Sequence, residues 1–310
     1  MGCFTGLADR LAVVLSGAAL AEATGRRLTV WWPRTVHCGA SFAELFQSPW
    51  PVAEVPEAEV RALPLFDMGD RRRQVDLLGA SEANVAVRAY GWMIDPKRYP
   101  AHQPLQQRCS ELLDGLQPQP EILRRVQDFR ATAFRGRMIG VHLRRADYLL
   151  FDARAAGGTS ATLAAVDRLL ARWPDAGVLL CTDDGGVDTF TGRNASPQGV
   201  AAAFLARFGE RVVSTRPRSL NRSEPAAIRD ALLDLLLLRA TDAIVGTQGS
   251  SFSAMAAFGR AVPAVWCRSA NPFLHLRPLW LLAGRKARWE AVRFYYGRLL
   301  RRWWPGMGSE

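Results

Sequence analysis

Short apolar runs alternate with amphipathic segments along the second half of the chain. Met138 to Val141 is a compact apolar run with β-branched residues, and Pro225 to Arg239 is a long leucine-rich segment typical of a helix. The same patterns predict, in order, helix Ser160–Trp173, strand Gly177–Cys181, helix Gly199–Phe208, strand Arg211–Ser214, strand Ala243–Gly246, helix Ser253–Phe258 and strand Ala261–Trp266. Strands that alternate with helices indicate an α/β fold with a parallel sheet covered on both faces.

The first half begins with a similar arrangement. A glycine turn at Gly6 precedes a segment from Leu11 to Ala23 with apolar residues at helical spacing, and Leu28 to Trp32 is predicted as a strand. The helix N-terminus of such a βαβ unit can receive an anion, and a simple tight turn is the alternative. Further predictions are a short helix Cys38–Phe46 capped by Ser41, a strand Val85–Trp92 and a helix Pro120–Arg137. The rest of residues 48–118 is proline-rich and irregular in pattern.

The charge and the cysteines narrow the choice of partners and of compartment. The net charge of +11 comes almost wholly from arginine, since Lys97 and Lys286 are the only lysines. The arginines are scattered and form no basic stripe interleaved with aromatics, so the charge does not indicate a nucleic-acid binder. Sugar nucleotides and acidic lipid headgroups remain compatible partners. The five cysteines lack CxxC spacing, which favours a reduced, cytoplasmic setting.

A group of basic residues follows the apolar strand of the second half. Met138 to Val141 leads directly into His142, Arg144 and Arg145. Ligands of an open parallel sheet bind beyond the carboxyl ends of its strands, which is where these side chains are expected. Arginine matches two phosphate oxygens at once, so the arrangement indicates an anion site, most simply for a diphosphate. A surface charge cluster that only caps the strand is the alternative.

Four separated stretches together resemble the GDP-fucose-dependent fucosyltransferase superfamily. They are GLADRL with its helix and TGRRLTVWWP, then CGASFAELF, the strand ending in HLRRAD, and ALLDLLLLRATDAIVGTQGSSFSAMA. The chain is most similar to α1,6-fucosyltransferases, including the rhizobial nodulation fucosyltransferase, and to their bacterial relatives, over residues 4–267. The resemblance implies a GT-B fold, with two Rossmann-like domains facing a central cleft, and an inverting, metal-independent transfer.

The patterns and the resemblance divide the chain into three parts. Residues 1–136 are expected to form the N-terminal Rossmann-like domain on the acceptor side, and residues 137–268 the domain that binds the nucleotide sugar. Residues 269–310 are predicted as a basic, tryptophan-rich helical tail. This tail either lies on a membrane surface, with tryptophans at the headgroups and arginines on anionic lipid, or packs on the first domain.

The resemblance also implies roles for individual residues. Arg144 matches the position that neutralises charge on the departing GDP, His142 matches a histidine near the phosphates and ribose, and Arg145 is similar to a second basic position. Asp234 matches an acidic residue that accepts hydrogen bonds from N1 and the exocyclic amine of guanine. The remaining predicted donor contacts are Ser250, Ser251, Thr182, Asp183, Asp184, Gly6 and Arg10. The serines match diphosphate-binding positions, or only cap a helix, whereas the TDD motif either orients a loop arginine, touches the nucleotide or forms a plain turn.

The general base is left open by the resemblance. Asp147, Asp9 and Asp152 are the candidates, and Asp147 is predicted as a catalytic residue together with Arg144. Asp9 lies in the glycine loop where the family carries further glycines and an amide residue. There it would repel a diphosphate, unless it pairs with Arg10 or acts on the acceptor.

The predicted function is transfer of a sugar, fucose in the first place, from a GDP-sugar to a glycan hydroxyl in glycan biosynthesis. The GDP-sugar is the donor substrate, and neither a cofactor nor a metal is expected. One alternative keeps the fold with a different nucleotide sugar, and another is a degenerate, non-catalytic protein that binds sugar nucleotides or glycans. The protein is expected in the cytoplasm, with peripheral contact to the inner membrane through its tail.

Overall fold

A computed structural model describes residues 2–3, 5–47, 50, 65–67, 76–82, 84–145, 158–184 and 199–267, with backbone only at 2–3 and 65–67. All of these residues belong to one unit of the chain, Met1–Ser269. The predicted tail at 269–310 and the candidate bases Asp147 and Asp152 lie outside the described residues. No helix among those described is long and apolar enough to span a membrane.

The first half forms a small parallel sheet beside a buried helix. β1 (Gly2–Cys3), β3 (Leu65–Asp67) and β4 (Ala86–Ala89) pair in the order β1-β4-β3, and β2 (Phe46–Gln47) pairs antiparallel with β5 (Gln117–Pro118). The helices are α1 (Leu7–Ala23), α2 (Gln103–Asp114) and α3 (Pro120–Ala133). Most of α1 is buried because it is apolar on nearly all sides, and it packs against α2.

The second half forms a five-stranded parallel sheet, as predicted. Its elements are β6 (Met138–Leu143), α4 (Thr159–Arg172), β7 (Gly177–Thr182), α5 (Val200–Phe208), β8 (Val212–Val213), α6 (Pro225–Arg239), β9 (Ala243–Thr247), α7 (Ser251–Ala257) and β10 (Ala264–Cys267). The spatial order is β10-β9-β6-β7-β8. The chain thus leaves β6 toward β7 on one side and later returns to place β9 on the other, so the strand order reverses between β6 and β9.

The central strand β6 is buried on both faces, and its two faces pack into different cores. Ile139 and Val141 belong to a core with α4 and α5, whereas Met138 belongs to a core shared with α1, α3 and α6. Alternate residues of a strand point to opposite faces, so His142 shares the face of Met138 and Gly140, toward α6 and α7. The apolar sequence of β6 therefore determines which face carries the histidine.

Two predictions for the first half are wrong. Leu28–Trp32 contains only isolated bridge positions and does not form a regular strand. Cys38–Phe46 forms a single turn instead of a helix: the Ser41 hydroxyl accepts from the Glu44 amide at 3.3 Å, and the Glu44 carboxylate accepts from the Ser41 amide at 2.7 Å. This is the reciprocal capping of a helix start, but β2 begins at Phe46 and ends the turn.

A buried ion pair joins α3 to α6. Asp230 is 2% exposed, and its carboxylate accepts from Arg125 at 2.6 Å and from the Arg218 amide at 2.9 Å.

Replacing Arg125 with alanine should destabilise the protein by about 3 kcal/mol, because a buried carboxylate then loses its cation. Chemical denaturation measures this loss, with alanine at the exposed neighbour Arg124 as the control. Equal stability of the two variants would show that the ion pair contributes nothing.

Candidate active site

The candidate site lies where the strand order reverses, at the carboxyl ends of β6 and β9. Such a switch point opens a crevice that binds ligands in α/β sheets. The two strand ends are tied together by Thr247, whose hydroxyl donates to the His142 carbonyl at 3.2 Å and accepts from the Arg144 amide at 2.9 Å. The residues that follow β6 are therefore held in place by the neighbouring strand.

His142 is enclosed at this point. The residue is 6% exposed, its Nδ1 lies 2.7 Å from the Ser253 hydroxyl, and its ring packs on Phe252 with centroids 4.6 Å apart. Burial lowers the pKa of His142 to about 4, with Asp183 raising it and Arg144 lowering it further. The imidazole is consequently neutral at physiological pH, so it acts as a hydrogen-bonding group and not as a cation.

Two arginines and two aspartates form a compact charged group beside the histidine. Arg144 Nη1 lies 2.8 Å from Asp183 Oδ2, and the other oxygen of Asp183 accepts from the Arg145 amide at 2.6 Å. Arg145 Nε lies 3.2 Å from Asp184 Oδ1, and Arg145 Nη1 donates to Thr159 at 3.1 Å. All four charged side chains are at most 20% exposed. The arginines are thus held in fixed positions before any ligand arrives.

The contacts of the TDD motif distinguish among its three predicted roles. The Thr182 hydroxyl donates to the Leu143 carbonyl at 2.8 Å and accepts from the Asp184 amide at 3.1 Å. The second carboxylate oxygen of Asp184 accepts from the backbone amide of Val200 at the start of α5. Since both carboxylates hold arginines, the structure favours orientation of the arginines over direct contact with a nucleotide.

The serines that precede and open α7 have different partners. Ser250 is the N-cap of α7, is 5% exposed, and accepts from the Ser253 amide at 3.4 Å. Ser251 is hydrogen-bonded to Asp9. Ser250 therefore caps α7, and its predicted diphosphate contact stays a prediction, whereas Ser251 joins the second half of the chain to the first.

Asp9, in the first turn of α1, faces this group from the first half of the chain. Burial raises the pKa of Asp9 to about 6, against the hydrogen bond from Ser251 and the charges of Arg144 and Arg222, which lower it. A carboxylate with such a pKa changes its protonation state near physiological pH. Asp9 is thus a base placed among cations at the edge of the cluster.

Arg10 is buried within the first half of the chain, and its predicted donor contact stays a prediction. The side chain is 0% exposed, lies over the Trp32 ring, and donates to the carbonyls of Thr5 and Pro33 at 2.6 and 2.7 Å. Consecutive residues of an α-helix lie about 100° apart around its axis, so Arg10 points into the first half while Asp9 faces the charged group. Gly6 is the N-cap of α1, and a Cβ there would meet no atom within 4 Å.

Asp234 lies on the buried side of α6, one turn from Asp230. Its Oδ1 accepts from the Thr215 hydroxyl at 2.6 Å. Burial raises the pKa of Asp234 to about 7; the Thr215 bond lowers it and the nearby Asp230 raises it. The predicted guanine contact of Asp234 stays a prediction, and the structure adds that Thr215 already occupies one carboxylate oxygen.

Sequence reasoning missed two residues that organise the site, Thr247 and Ser253. Both lie within the GTQGSSFSA stretch, and Ser250 and Ser253 are three positions apart, a spacing that places them on one side of a helical turn. This spacing is the one sequence signal that links Ser253 to the predicted site residue Ser250. It does not show that Ser253 contacts His142, which is 111 positions earlier in the chain.

The fold of the chain is that of solved fucosyltransferases. It is similar to NodZ α-1,6-fucosyltransferase soaked with GDP-fucose (TM-score 0.54, 19% identity, 83% of this chain and 91% of that chain). It is also similar to fucosyltransferase NodZ from Bradyrhizobium (TM-score 0.54, 21% identity, 82% and 90%) and to POFUT1 in complex with GDP-fucose (TM-score 0.51, 12% identity, 86% and 96%). No protein-family model and no curated protein sequence matches the chain. The resemblance found in the sequence is confirmed at the level of the fold.

Proposed function

We propose that the protein is a glycosyltransferase that moves a sugar, in the first place fucose, from a GDP-sugar to a glycan hydroxyl. The observation that carries this proposal is the pair Arg144 and Arg145, held by Asp183 and Asp184 at the switch point of a fucosyltransferase fold. Fixed cations at this position suit a nucleoside diphosphate. The similar NodZ structure was soaked with GDP-fucose and the similar POFUT1 structure is a complex with GDP-fucose, which supports the choice of donor.

The proposed reaction is an inverting, metal-independent displacement. The acceptor hydroxyl attacks the anomeric carbon, the bond from that carbon to the β-phosphate oxygen breaks, and GDP leaves with the bonding electrons. Arg144 is assigned to stabilise the negative charge that develops on GDP. Because Asp183 already orients the guanidinium, little reorganisation is needed when this charge appears. In the proposed GT-B arrangement, residues 137–268 hold the donor and residues 1–136 the acceptor.

Asp9 is the proposed acceptor of the hydroxyl proton. It lies on the first half of the chain, the proposed acceptor side, and its pKa of about 6 leaves most of it ionised at neutral pH. Arg144 and Arg222 reduce the repulsion that its charge would exert on a diphosphate. Among the three candidate bases Asp9 is the one within the described residues, and its placement supports this role.

Guanine recognition by Asp234 is the most direct test of the donor site. A ligand that binds only the folded protein raises its stability, by about 2.7 kcal/mol at a hundredfold excess over Kd. We expect GDP, but neither ADP nor UDP, to raise the melting temperature, and Asp234→Ala to lose this selectivity. Thr215→Val is the matched control, because it removes the same internal hydrogen bond and keeps the carboxylate. If no nucleotide stabilises the protein, the donor site is assigned wrongly.

Asp9 is also the observation that favours a second candidate, a non-catalytic protein that binds sugar nucleotides or glycans. A carboxylate beside the proposed diphosphate site weakens donor binding unless it serves the reaction. GDP-selective stabilisation without any transfer or hydrolysis of GDP-fucose would support this candidate. Turnover of GDP-fucose in the presence of a glycan acceptor would exclude it.

A further inference from the structure

The Ser253 hydroxyl, at the centre of the site, is fully buried and has two partners. It lies 2.7 Å from His142 Nδ1 and accepts from the Thr247 amide at 3.1 Å. The amide can only donate, so one lone pair of the hydroxyl oxygen is committed to it. The three groups form a short chain of hydrogen bonds that begins at the backbone of β9 and ends on the imidazole.

The donor and acceptor in the hydrogen bond between Ser253 and His142 follow from counting protons. A serine hydroxyl has a single proton, and no other acceptor for it is found among the residues that the structure describes. Ser253 therefore donates to His142, and Nδ1 must be the unprotonated nitrogen of the neutral ring. The ring proton is then on Nε2.

The Nε2 atom of His142 is left open. Within the described parts of the chain no hydrogen bond engages Nε2, although His142 is only 6% exposed. Phe252 packs on the ring and limits its rotation. A buried ring thus presents one N–H at the switch point.

We propose that Ser253 is a positioning residue that fixes His142 as the Nε2–H tautomer, so that the imidazole donates one directed hydrogen bond to an oxygen of the donor's nucleoside diphosphate. The ligand part of this inference rests on the proposed function, whereas the tautomer part does not. The opposite tautomer would turn an Nε2 lone pair toward that oxygen and repel it. The second half thereby offers the donor a neutral group beside the charged Arg144, with an orientation set by the backbone of β9.

Nitrogen NMR of the wild-type protein tests the tautomer directly. Long-range ¹H–¹⁵N spectra at neutral pH distinguish protonated from unprotonated ring nitrogens, and the His142→Gln spectrum identifies the signals of His142 among the four histidines. His102 is an internal reference, because its Nδ1 accepts from the Asp95 amide at 3.0 Å and its Nε2 faces Asp76. We expect both histidines as Nε2–H. A proton on Nδ1 of His142 in the wild-type protein would overturn the inference.

Ser253→Ala tests the positioning role. We expect its His142 signals to shift toward a mixture of tautomers, and GDP affinity and the KM for GDP-fucose to worsen about tenfold, with a smaller change in kcat. Ser110→Ala, a buried serine of α2, is the control and should behave as wild type. Wild-type GDP binding that Ser253→Ala leaves unchanged would refute the inference. Absence of GDP binding to the wild type, with the expected tautomer present, would instead refute the proposed function.

Discussion

Arg144→Ala is expected to lower kcat by about 10²- to 10³-fold, which is the cost of removing one preorganised charge-stabilising group. The loss should appear mainly in kcat, because the charge on departing GDP is largest in the transition state. Asp183 loses one cation but keeps its hydrogen bond from the Arg145 amide at 2.6 Å, so the fold should survive. Steady-state kinetics with GDP-fucose and a glycan acceptor, together with thermal melting, measure both effects.

A matched control for this variant is alanine at Arg137. That arginine is exposed just before the opposite end of β6, where its guanidinium carbon lies 5.1 Å from the centroid of the Trp173 ring. It should retain full activity. Lysine at position 144 should recover little, because an ammonium lacks the planar fork that Asp183 and a phosphate can share. Substantial activity of Arg144→Ala would show that this arginine does not stabilise the leaving group.

Asp9→Asn is expected to lower kcat by about 10²-fold or more while leaving the KM for the donor unchanged or lower. The substitution removes the proton acceptor, and general base catalysis typically contributes rate factors of about 10² to 10⁴. It also removes a negative charge near the diphosphate. In the wild type, kcat/KM should fall as the pH drops below about 6, the pKa of Asp9. The asparagine variant should lack this acid limb. Wild-type activity in Asp9→Asn would assign the base elsewhere.

The same substitution should raise stability at alkaline pH. The pKa of Asp9 rises from 3.8 to about 6 on folding, so between these values the folded state binds more protons than the unfolded state. The free energy of unfolding therefore falls as the pH rises through this window, by about 3 kcal/mol at most. Asp9→Asn removes this loss and should melt higher than wild type at pH 8 but similarly at pH 4. Asp175→Asn, at an exposed position before β7, is the control; it keeps Asp9 and should therefore melt like the wild type at both pH values.

Much of the second half of the fold follows from local sequence. β6, β7, β9 and the helices between them are predicted to within a few residues, because their apolar runs have the period and length of buried strands and helices. The helices and strands of the first half are harder to predict from the sequence. α2 exposes most of its surface and buries only a narrow stripe, Leu105, Cys109 and Leu113 with Ser110, among polar residues. Leu28–Trp32 has the composition of a strand, but pairing depends on neighbours that are remote in sequence.

The sequence by itself determined the α/β architecture and the placement of His142, Arg144 and Arg145 at a strand end. Only the tertiary structure decided what these side chains meet. It brought Asp183 and Asp184 onto the arginines, Ser253 onto His142 and Asp9 onto the cluster. It also buried Arg10 against the first half. The physical reason is that periodicity and propensity act over a few residues, whereas a side chain's hydrogen bonds, burial and pKa depend on elements that are distant along the chain.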